Sequence, residues 1–432
     1  MTDIPYGRQQ IGEDEIAAVV EVLRSDFLTQ GPLVERFEEA FARTVGAPYA
    51  VACSSGTAAL HLAALAAGLG PGDRVLVPAI TFVASANAGR FVGAEVAFAD
   101  IDGDDLTLSP AAAEAVLEQA RRAGRPFRAL VTVDLAGHPC DMAAFGRLAD
   151  AYGLIWIADA CHALGATWTA PARNQGSSGE SASGQASARS QESGSETVAA
   201  GSGQAREWRI GEWPRPDFTV FSFHPVKHIT TGEGGMVVTH DARRAARVRR
   251  LRSHGIVRDP EQFVFREEAC EPGGQVNPWY YEVQALGFNY RLTELQSALG
   301  LVQLRRLPAF LARRRAIADR YRRELTGHPG IRFPVVRPGC QHAWHLAIVR
   351  IDYAGLGTTR GQVMRRLRER GIGTQVHYIP VPMMPFYAGS ALMAELPHAL
   401  GYYREALSLP IFPGMGEAEV ARVIEALREV LG

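Results

Sequence analysis

The chain has 432 residues, and its 45 Lys+Arg nearly balance 46 Asp+Glu for a formal net charge of −1. With 47% hydrophobic and 21% charged residues, it is not a wholly disordered chain, which would combine low hydrophobicity with high net charge. The same balance excludes nucleic-acid binding by bulk charge, because neutralising phosphates needs a basic surplus, and the length suffices for two or three domains.

The first residues, Met1-Thr2-Asp3-Ile4-Pro5, lack a basic n-region and an apolar h-region, so no secretory leader is expected. Ser54-Ser55-Gly56-Thr57 follows, opening a helical pattern over Thr57–Ala67. Free N–H groups at a helix start, small residues and hydroxyls suit an anion such as phosphate, although Ser and Thr also simply cap helices. Even the apolar run Ala58–Leu69 is broken by His61 and falls short of a membrane span.

Short apolar runs then alternate with amphipathic stretches. Arg74–Val77, Glu95–Ile101, Ala129–Asp134 and Leu154–Asp159 read as strands, with helices at Ala111–Arg122 and Met142–Tyr152. This alternation implies a mostly parallel sheet with helices on both faces, whose ligands sit beyond the carboxyl ends of the strands. Two residues stand there. Phe82, after Pro78-Ala-Ile-Thr, is either core packing or a cover for a planar ring. Asp159 is either a turn residue or a carboxylate that keeps a heterocyclic nitrogen protonated.

From Pro171 to Glu207 the composition shifts to Ser, Gly, Ala, Gln, Glu and Arg, with Val198 as its only large aliphatic residue. Such a segment cannot offset the entropy of ordering and reads as a flexible loop. An interdomain linker is the alternative. Flanking buried strands, Leu154–Asp159 and Phe218–Phe223, favour an insertion within one domain.

The next run, Phe221-Ser-Phe-His-Pro-Val-Lys227-His-Ile-Thr-Thr-Gly-Glu-Gly-Gly235, places a lysine between two strands, the second being Gly235–Thr239. Most lysines are solvent-exposed. Amid Ser222, Thr230, Thr231 and glycines, Lys227 instead suits a polar pocket, where its amine can form a Schiff base with an aldehyde cofactor.

Beyond Asn289, Leu292–Leu304 and Pro308–Leu325 read as two long helices. Strands at Leu346–Ile351 and Gly373–His377 and helices at Arg360–Arg370 and Gly416–Val430 follow. We place a large domain over 1–305 and a small α+β domain over 306–432. The clusters Arg305-Arg306, Arg313-Arg314-Arg315 and Arg322-Arg323 read as a solvated or interface face rather than a nucleic-acid surface. Five widely spaced cysteines without a C-x-x-C pair predict a reduced, cytoplasmic protein with no disulfide framework and no metal site.

Taken together, the motifs resemble the DegT/DnrJ/EryC1/StrS family of pyridoxal-phosphate-dependent sugar aminotransferases. The resemblance runs from Tyr6 to the C-terminus. Its motifs are Ser54-Ser-Gly-Thr-Ala-Ala-Leu-His61, Pro78-Ala-Ile-Thr-Phe-Val-Ala-Ser-Ala-Asn87, Ala158-Asp-Ala-Cys-His162, Ser222-Phe-His-Pro-Val-Lys227 and Gly287-Phe-Asn-Tyr-Arg-Leu-Thr-Glu-Leu-Gln296. It implies the pyridoxal-phosphate-dependent transferase fold type I, like that of aspartate aminotransferase: a mostly parallel α/β sheet with a smaller C-terminal α+β domain.

Carried over residue by residue, the resemblance gives Lys227 the cofactor's aldehyde, Asp159 the pyridine nitrogen and His162 the neighbourhood of the phenolic oxygen. Phe82 covers the ring. Gly56, Thr57 and Ser222 hold the phosphate, joined by Asn289 from a second subunit, which implies a homodimer with shared sites. Sugar contacts fall to Tyr6, Phe27, Leu28, Thr29, Trp344 and His345. The family's usual Glu before the aspartate is here Ala158. Because neighbouring side chains of a strand point to opposite faces, this leaves Asp159 its role.

Ser25-Asp-Phe-Leu-Thr-Gln-Gly31, His224–Gly235, Leu251-Arg-Ser-His-Gly-Ile256, Pro278-Trp-Tyr-Tyr281 and Val376-His-Tyr-Ile-Pro380 look most like the members acting in pseudaminic acid synthesis. That subgroup implies L-glutamate as amino donor and a UDP-linked 4-keto-6-deoxy amino sugar as acceptor, with another keto sugar nucleotide as the alternative. A deoxygenating sister group carries His where Lys227 stands. A non-catalytic cofactor-binding regulator would bring a DNA-binding module, and no basic helix-turn-helix precedes Tyr6.

Overall fold

The computed structural model describes residues 3–170, 205–389, 391 and 393–432. A seven-stranded sheet forms its centre. In chain order its strands are β1 (Tyr49–Cys53), β2 (Arg74–Pro78), β3 (Glu95–Ala99), β4 (Ala129–Val133) and β5 (Ile155–Asp159), and, after a hairpin of β6 (Thr167–Thr169) and β7 (Glu207–Arg209), β8 (Phe218–Ser222) and β9 (Gly235–Thr239). The spatial order is β1-β9-β8-β5-β4-β2-β3. The β3, β2, β4, β5 and β8 strands run parallel, and β9 alone runs against its neighbours β8 and β1. The carboxyl ends of six strands therefore meet along one rim.

Period-two burial divides the sheet between two cores. Val75, Val77, Val131, Ile157, Val220 and Val237 enter one, whereas Leu76, Leu130, Trp156, Phe221 and Val238 enter the other. Helices α1 (Glu13–Leu23), α2 (Pro32–Val45), α3 (Gly56–Ala66), α4 (Ala84–Phe91), α5 (Pro110–Arg122), α6 (Met142–Tyr152) and α7 (Ala242–Arg252) accompany these strands. Residues of α3, α4 and α7 fill the first core, and those of α2, α5 and α6 fill the second. Both faces are thus covered, which is why these strands read as nearly continuous apolar runs.

Three expectations need correction. The helices expected at Leu292–Leu304 and Pro308–Leu325 are one helix, Glu294–Leu325, with Pro308 inside it. A mid-helix proline costs about 3 kcal/mol. Each large apolar side chain buried nearby returns about 1.5–3 kcal/mol, and Leu304, Leu307, Phe310 and Leu311 are all buried. Packing on both sides of the proline outweighs it. Upstream residues of this helix join the sheet's second core, while Ile317, Tyr321 and Leu325 join a third.

The expected strand Gly373–His377 is absent. Its segment makes one isolated bridge, Gln375 with Ser408, just after that of Ile372 with Ile4, because the small sheet is built instead from Ile331–Arg332, Ala347–Ile351 and Ala406–Leu409. The first and last of these, and the helix Pro397–Glu405, were not anticipated. The insertion expected over 171–207 lies outside the described residues from 171 to 204. Its far end is shorter than expected, since Glu207 already belongs to β7 and pairs with Thr169. The Ala170 amide donates to the Arg206 carbonyl at 3.0 Å, so the segment departs from and returns to the tip of one hairpin. All five cysteines are free.

Candidate active site

Where the strand ends meet, a cavity of about 470 Å³ opens, lined by residues at those ends together with Tyr6, His345, His377 and Tyr378. Its floor is the start of α3. Ser55 Oγ accepts from the Ala58 amide at 3.1 Å and so caps the helix. The cap leaves the Gly56 and Thr57 amides without an acceptor among the described residues. Capping and anion binding are therefore both served, by different groups. Close approach explains the glycines: a Cβ on Gly56 would lie 2.9 Å from Ser222 Cβ, and one on Gly235 would lie 2.3 Å from the Ser55 carbonyl oxygen. No other residue lets β8, β9 and α3 meet so closely.

Asp159, at the end of β5, is buried. Its Oδ1 accepts from the Cys161 amide at 3.1 Å, and its Oδ2 accepts from Ser85 Oγ at 2.6 Å. Ser85 Oγ lies 2.7 Å from Thr81 Oγ1. The turn reading of Asp159 thus holds for one oxygen, while Ser85 fixes the other. Across the cavity Phe82 is 55% exposed, so it is not core packing. Its ring centre stands 6.0 Å from that of Tyr378. Ala158 is buried within the strand and does not line the cavity.

Lys227 lines the same cavity, and its Nζ has no hydrogen-bond or ion-pair partner among the described residues. Burial lowers its ammonium below the ordinary lysine value. Asp159 opposes that change, and the Arg314 guanidinium adds to it. A lysine this placed is biased toward the nucleophilic free amine.

His162 is buried beside it, with Nδ1 3.3 Å from the Ala136 amide and Nε2 3.2 Å from Tyr378 Oη. Burial, with Lys227, His377 and His228 nearby, holds its pKa well below the usual value. The His345 ring lies 4.3 Å from that of His162, centre to centre, and its Nδ1 has no partner among the described residues.

The cavity therefore gathers Gly56, Thr57, Phe82, Asp159, His162, Ser222, Lys227, Tyr6 and His345. It does not gather the remaining expected residues within this chain. Phe27, Leu28, Thr29 and Asn289 are exposed elsewhere, because Thr29 is bridged to Thr293 and Asn289 to Ser253. Trp344, held at φ 52°, stacks on His342 at 3.9 Å and packs on the third core, which turns it away.

Three residues here carried no role in the sequence reading. Ser85 and Tyr378 lay within quoted motifs, and only their partners reveal them. Arg314 was grouped with a solvated arginine face, yet it is fully buried. Its Nη1 donates to the carbonyls of Trp344, His345 and Ile411 at 3.1–3.2 Å, and burial lowers its pKa to about 10. It ties the long helix to Trp344-His345 and to Ile411.

The residues fit pyridoxal phosphate on the structure's own terms. An unpartnered amine, a fixed carboxylate, an exposed aromatic face and two free amides beside a glycine cradle are the complement of its aldehyde, ring nitrogen, ring face and phosphate. Among the described residues, no group of three or more His, Cys, Asp or Glu side chains could hold a metal ion. No helix there is long and apolar enough to cross a membrane.

The family model described as the DegT/DnrJ/EryC1/StrS aminotransferase family matches residues 9–428. Spore coat polysaccharide biosynthesis protein SpsC of Bacillus subtilis (strain 168) is 36% identical over 431 residues, which is 99% of this chain and 97% of that protein. Among solved structures, S. venezuelae DesV is similar at 32% identity with a TM-score of 0.78, covering 100% of this chain and 99% of its own. Helicobacter pylori PseC, an aminotransferase involved in the biosynthesis of pseudoaminic acid, is similar at 25% identity with a TM-score of 0.80 over 100% of this chain and 99% of its own. Similar folds have also been solved in PLP and PMP forms.

Proposed function

The chain belongs to the DegT/DnrJ/EryC1/StrS aminotransferase family, and from there we propose that it transfers an amino group from L-glutamate to C4 of a UDP-linked 4-keto-6-deoxy amino sugar, forming UDP-4-amino-4,6-dideoxy-N-acetyl-β-L-altrosamine for pseudaminic acid synthesis. It is a pyridoxal-phosphate-dependent sugar aminotransferase of fold type I. The observation that carries the reading is Lys227, whose amine lies unpartnered in the cavity that Asp159 also lines.

In this reading Lys227 takes the aldehyde, Asp159 the ring nitrogen, Phe82 the ring face, and Gly56, Thr57 and Ser222 the phosphate. When bound, pyridoxal phosphate supplies an aldehyde that captures amines and a ring that spreads negative charge. Asp159 keeps the ring nitrogen protonated, held in place by Ser85. Lys227 Nζ takes the proton from the donor's Cα and later returns one to C4 of the sugar. Its low-lying ammonium value favours the amine that this needs. The walls of Phe82, Tyr378 and Tyr6 limit water at the reacting carbon.

A homodimer with shared sites is part of the proposal. Phe27, Leu28, Thr29 and Asn289 are exposed away from their own chain's cavity, as residues serving a neighbour's cavity would be. A cytoplasmic location is consistent with five free cysteines.

A second acceptor deserves a place, a different keto sugar nucleotide for a surface polysaccharide. SpsC favours it, being 36% identical against 25% for PseC. The test is a panel of UDP-linked 4-keto sugars with L-glutamate, its products read by mass spectrometry and NMR. Amination of the altrosamine precursor in preference to the others supports the first reading. Preference for another sugar selects the second.

A further inference from the structure

The surroundings of His162 decide where a proton points at Tyr378. The Ala136 amide can only donate, and it lies 3.3 Å from His162 Nδ1. Nδ1 is therefore the acceptor, and the neutral ring carries its proton on Nε2. Burial with neighbouring Lys227 keeps the ring neutral. Since Nε2 is 3.2 Å from Tyr378 Oη, the imidazole donates and the phenol oxygen accepts. The phenol's own O–H is left unspent, for Tyr378 makes no second side-chain hydrogen bond among the described residues.

That O–H belongs to a ring held in place. Tyr378 lies nearly parallel to His162, at 25° and 6.2 Å between centres, and 4.9 Å from the ring of His377. Burial and the Asp159 carboxylate push the phenol up, so it stays protonated at working pH. Tyr378 shares the cavity with Lys227 and Tyr6.

We propose that Tyr378 is a catalytic residue whose hydroxyl donates a hydrogen bond to the carbonyl oxygen of the keto acceptor, at the end of a directed chain from the Ala136 amide through His162. The assignment rests on the sugar-aminotransferase reading above. Lys227 has to reach the reacting carbon, and Tyr378 lines the same cavity, so the oxygen on that carbon lies among the walls that carry the Tyr378 hydroxyl. Each donor in the chain polarises the next, and a fixed donor at a carbonyl where charge develops is worth on the order of 100-fold in rate. In the donor half a ketone forms only at the end, when water releases the 2-oxo acid, so the proton transfer from the donor's Cα does not draw on it.

Tyr378→Phe removes one oxygen and keeps the ring. With holoenzyme, the two half-reactions are followed separately by the cofactor's absorbance in a stopped-flow instrument. With glutamate, loss of the aldehyde cofactor's absorbance, which precedes release of the 2-oxo acid, is expected within about twofold of wild type, and the keto-sugar half-reaction about 100-fold slower. Calorimetric titration of the cofactor-free protein with the keto sugar nucleotide gives a second readout, with binding by the variant about fivefold weaker. Equal slowing of both halves, or an unchanged keto-sugar half with unchanged binding, overturns the assignment alone. Wild-type protein that aminates no keto sugar overturns the sugar reading and this assignment with it.

Discussion

Ser85 Oγ, in the first turn of α4, donates a 2.6 Å hydrogen bond to Oδ2 of Asp159 at the end of β5. Both residues are buried, so this is a charge-assisted bond in a low dielectric, the kind that contributes about 1.5–3 kcal/mol. Ser85→Ala should lower the thermal midpoint by several degrees. It should also weaken cofactor binding about tenfold, because Asp159 loses one of its two restraints. Thermal melts and an absorbance titration with pyridoxal phosphate measure both; unchanged affinity would detach Ser85 from the site.

Lys227→Met should abolish turnover and leave the purified protein colourless. It should also stabilise the cofactor-free protein. Because burial lowers the lysine's folded-state pKa below its unfolded value of 10.5, folding disfavours the proton. The penalty is full below the folded-state value and disappears as pH rises toward the unfolded value. The midpoint should therefore rise by about 3 °C at pH 7 and by less at pH 10. Melts across that range check the sign.

Acid should destabilise the protein as pH falls below 6.5. His138 and His377 are pushed down to about 4 and His228 to about 3, each chiefly by burial. His162, His342 and His345 lie well below the usual value of 6.5 for the same reason. Such bases gain protons only on unfolding, so their contribution is complete above pH 6.5 and is lost as pH falls below it. Each costs about 1.4 kcal/mol per pH unit in that window. Urea melts should show stability falling by several kcal/mol between pH 6.5 and 5. A flat profile would mean these imidazoles are accessible to protons in the folded state.

Deleting Ser177–Gly203 should leave turnover within about twofold of wild type. The segment begins and ends at one hairpin tip, where Ala170 and Arg206 are hydrogen-bonded, and a short loop can join such strands. The assay is steady-state amination by the shortened protein, and loss of cofactor binding would give the segment a structural part.

The strand–helix alternation from Arg74 to Thr239 was legible because each buried strand is a short apolar run and each helix has one apolar face. Those patterns follow from local chemistry alone. Lys227, Asp159 and Phe82 were legible for a related reason, since each follows a strand whose carboxyl end must open at the rim of such a sheet. What the residue types themselves determined was a charge-balanced α/β enzyme with a lysine and a carboxylate at that rim.

Tertiary structure decided the rest. Pro308 reads as a helix breaker until Leu304, Leu307, Phe310 and Leu311 are seen buried around it. Arg314 reads as one of three surface arginines until the carbonyls of Trp344, His345 and Ile411 are brought to its guanidinium. Trp344 and His345 are adjacent in sequence, yet only His345 reaches the cavity. The carbonyls that decide Arg314 lie 30, 31 and 97 residues away in the chain. A buried polar group takes its role from the donor or acceptor that folding brings within about 3 Å, and no local spacing encodes that meeting.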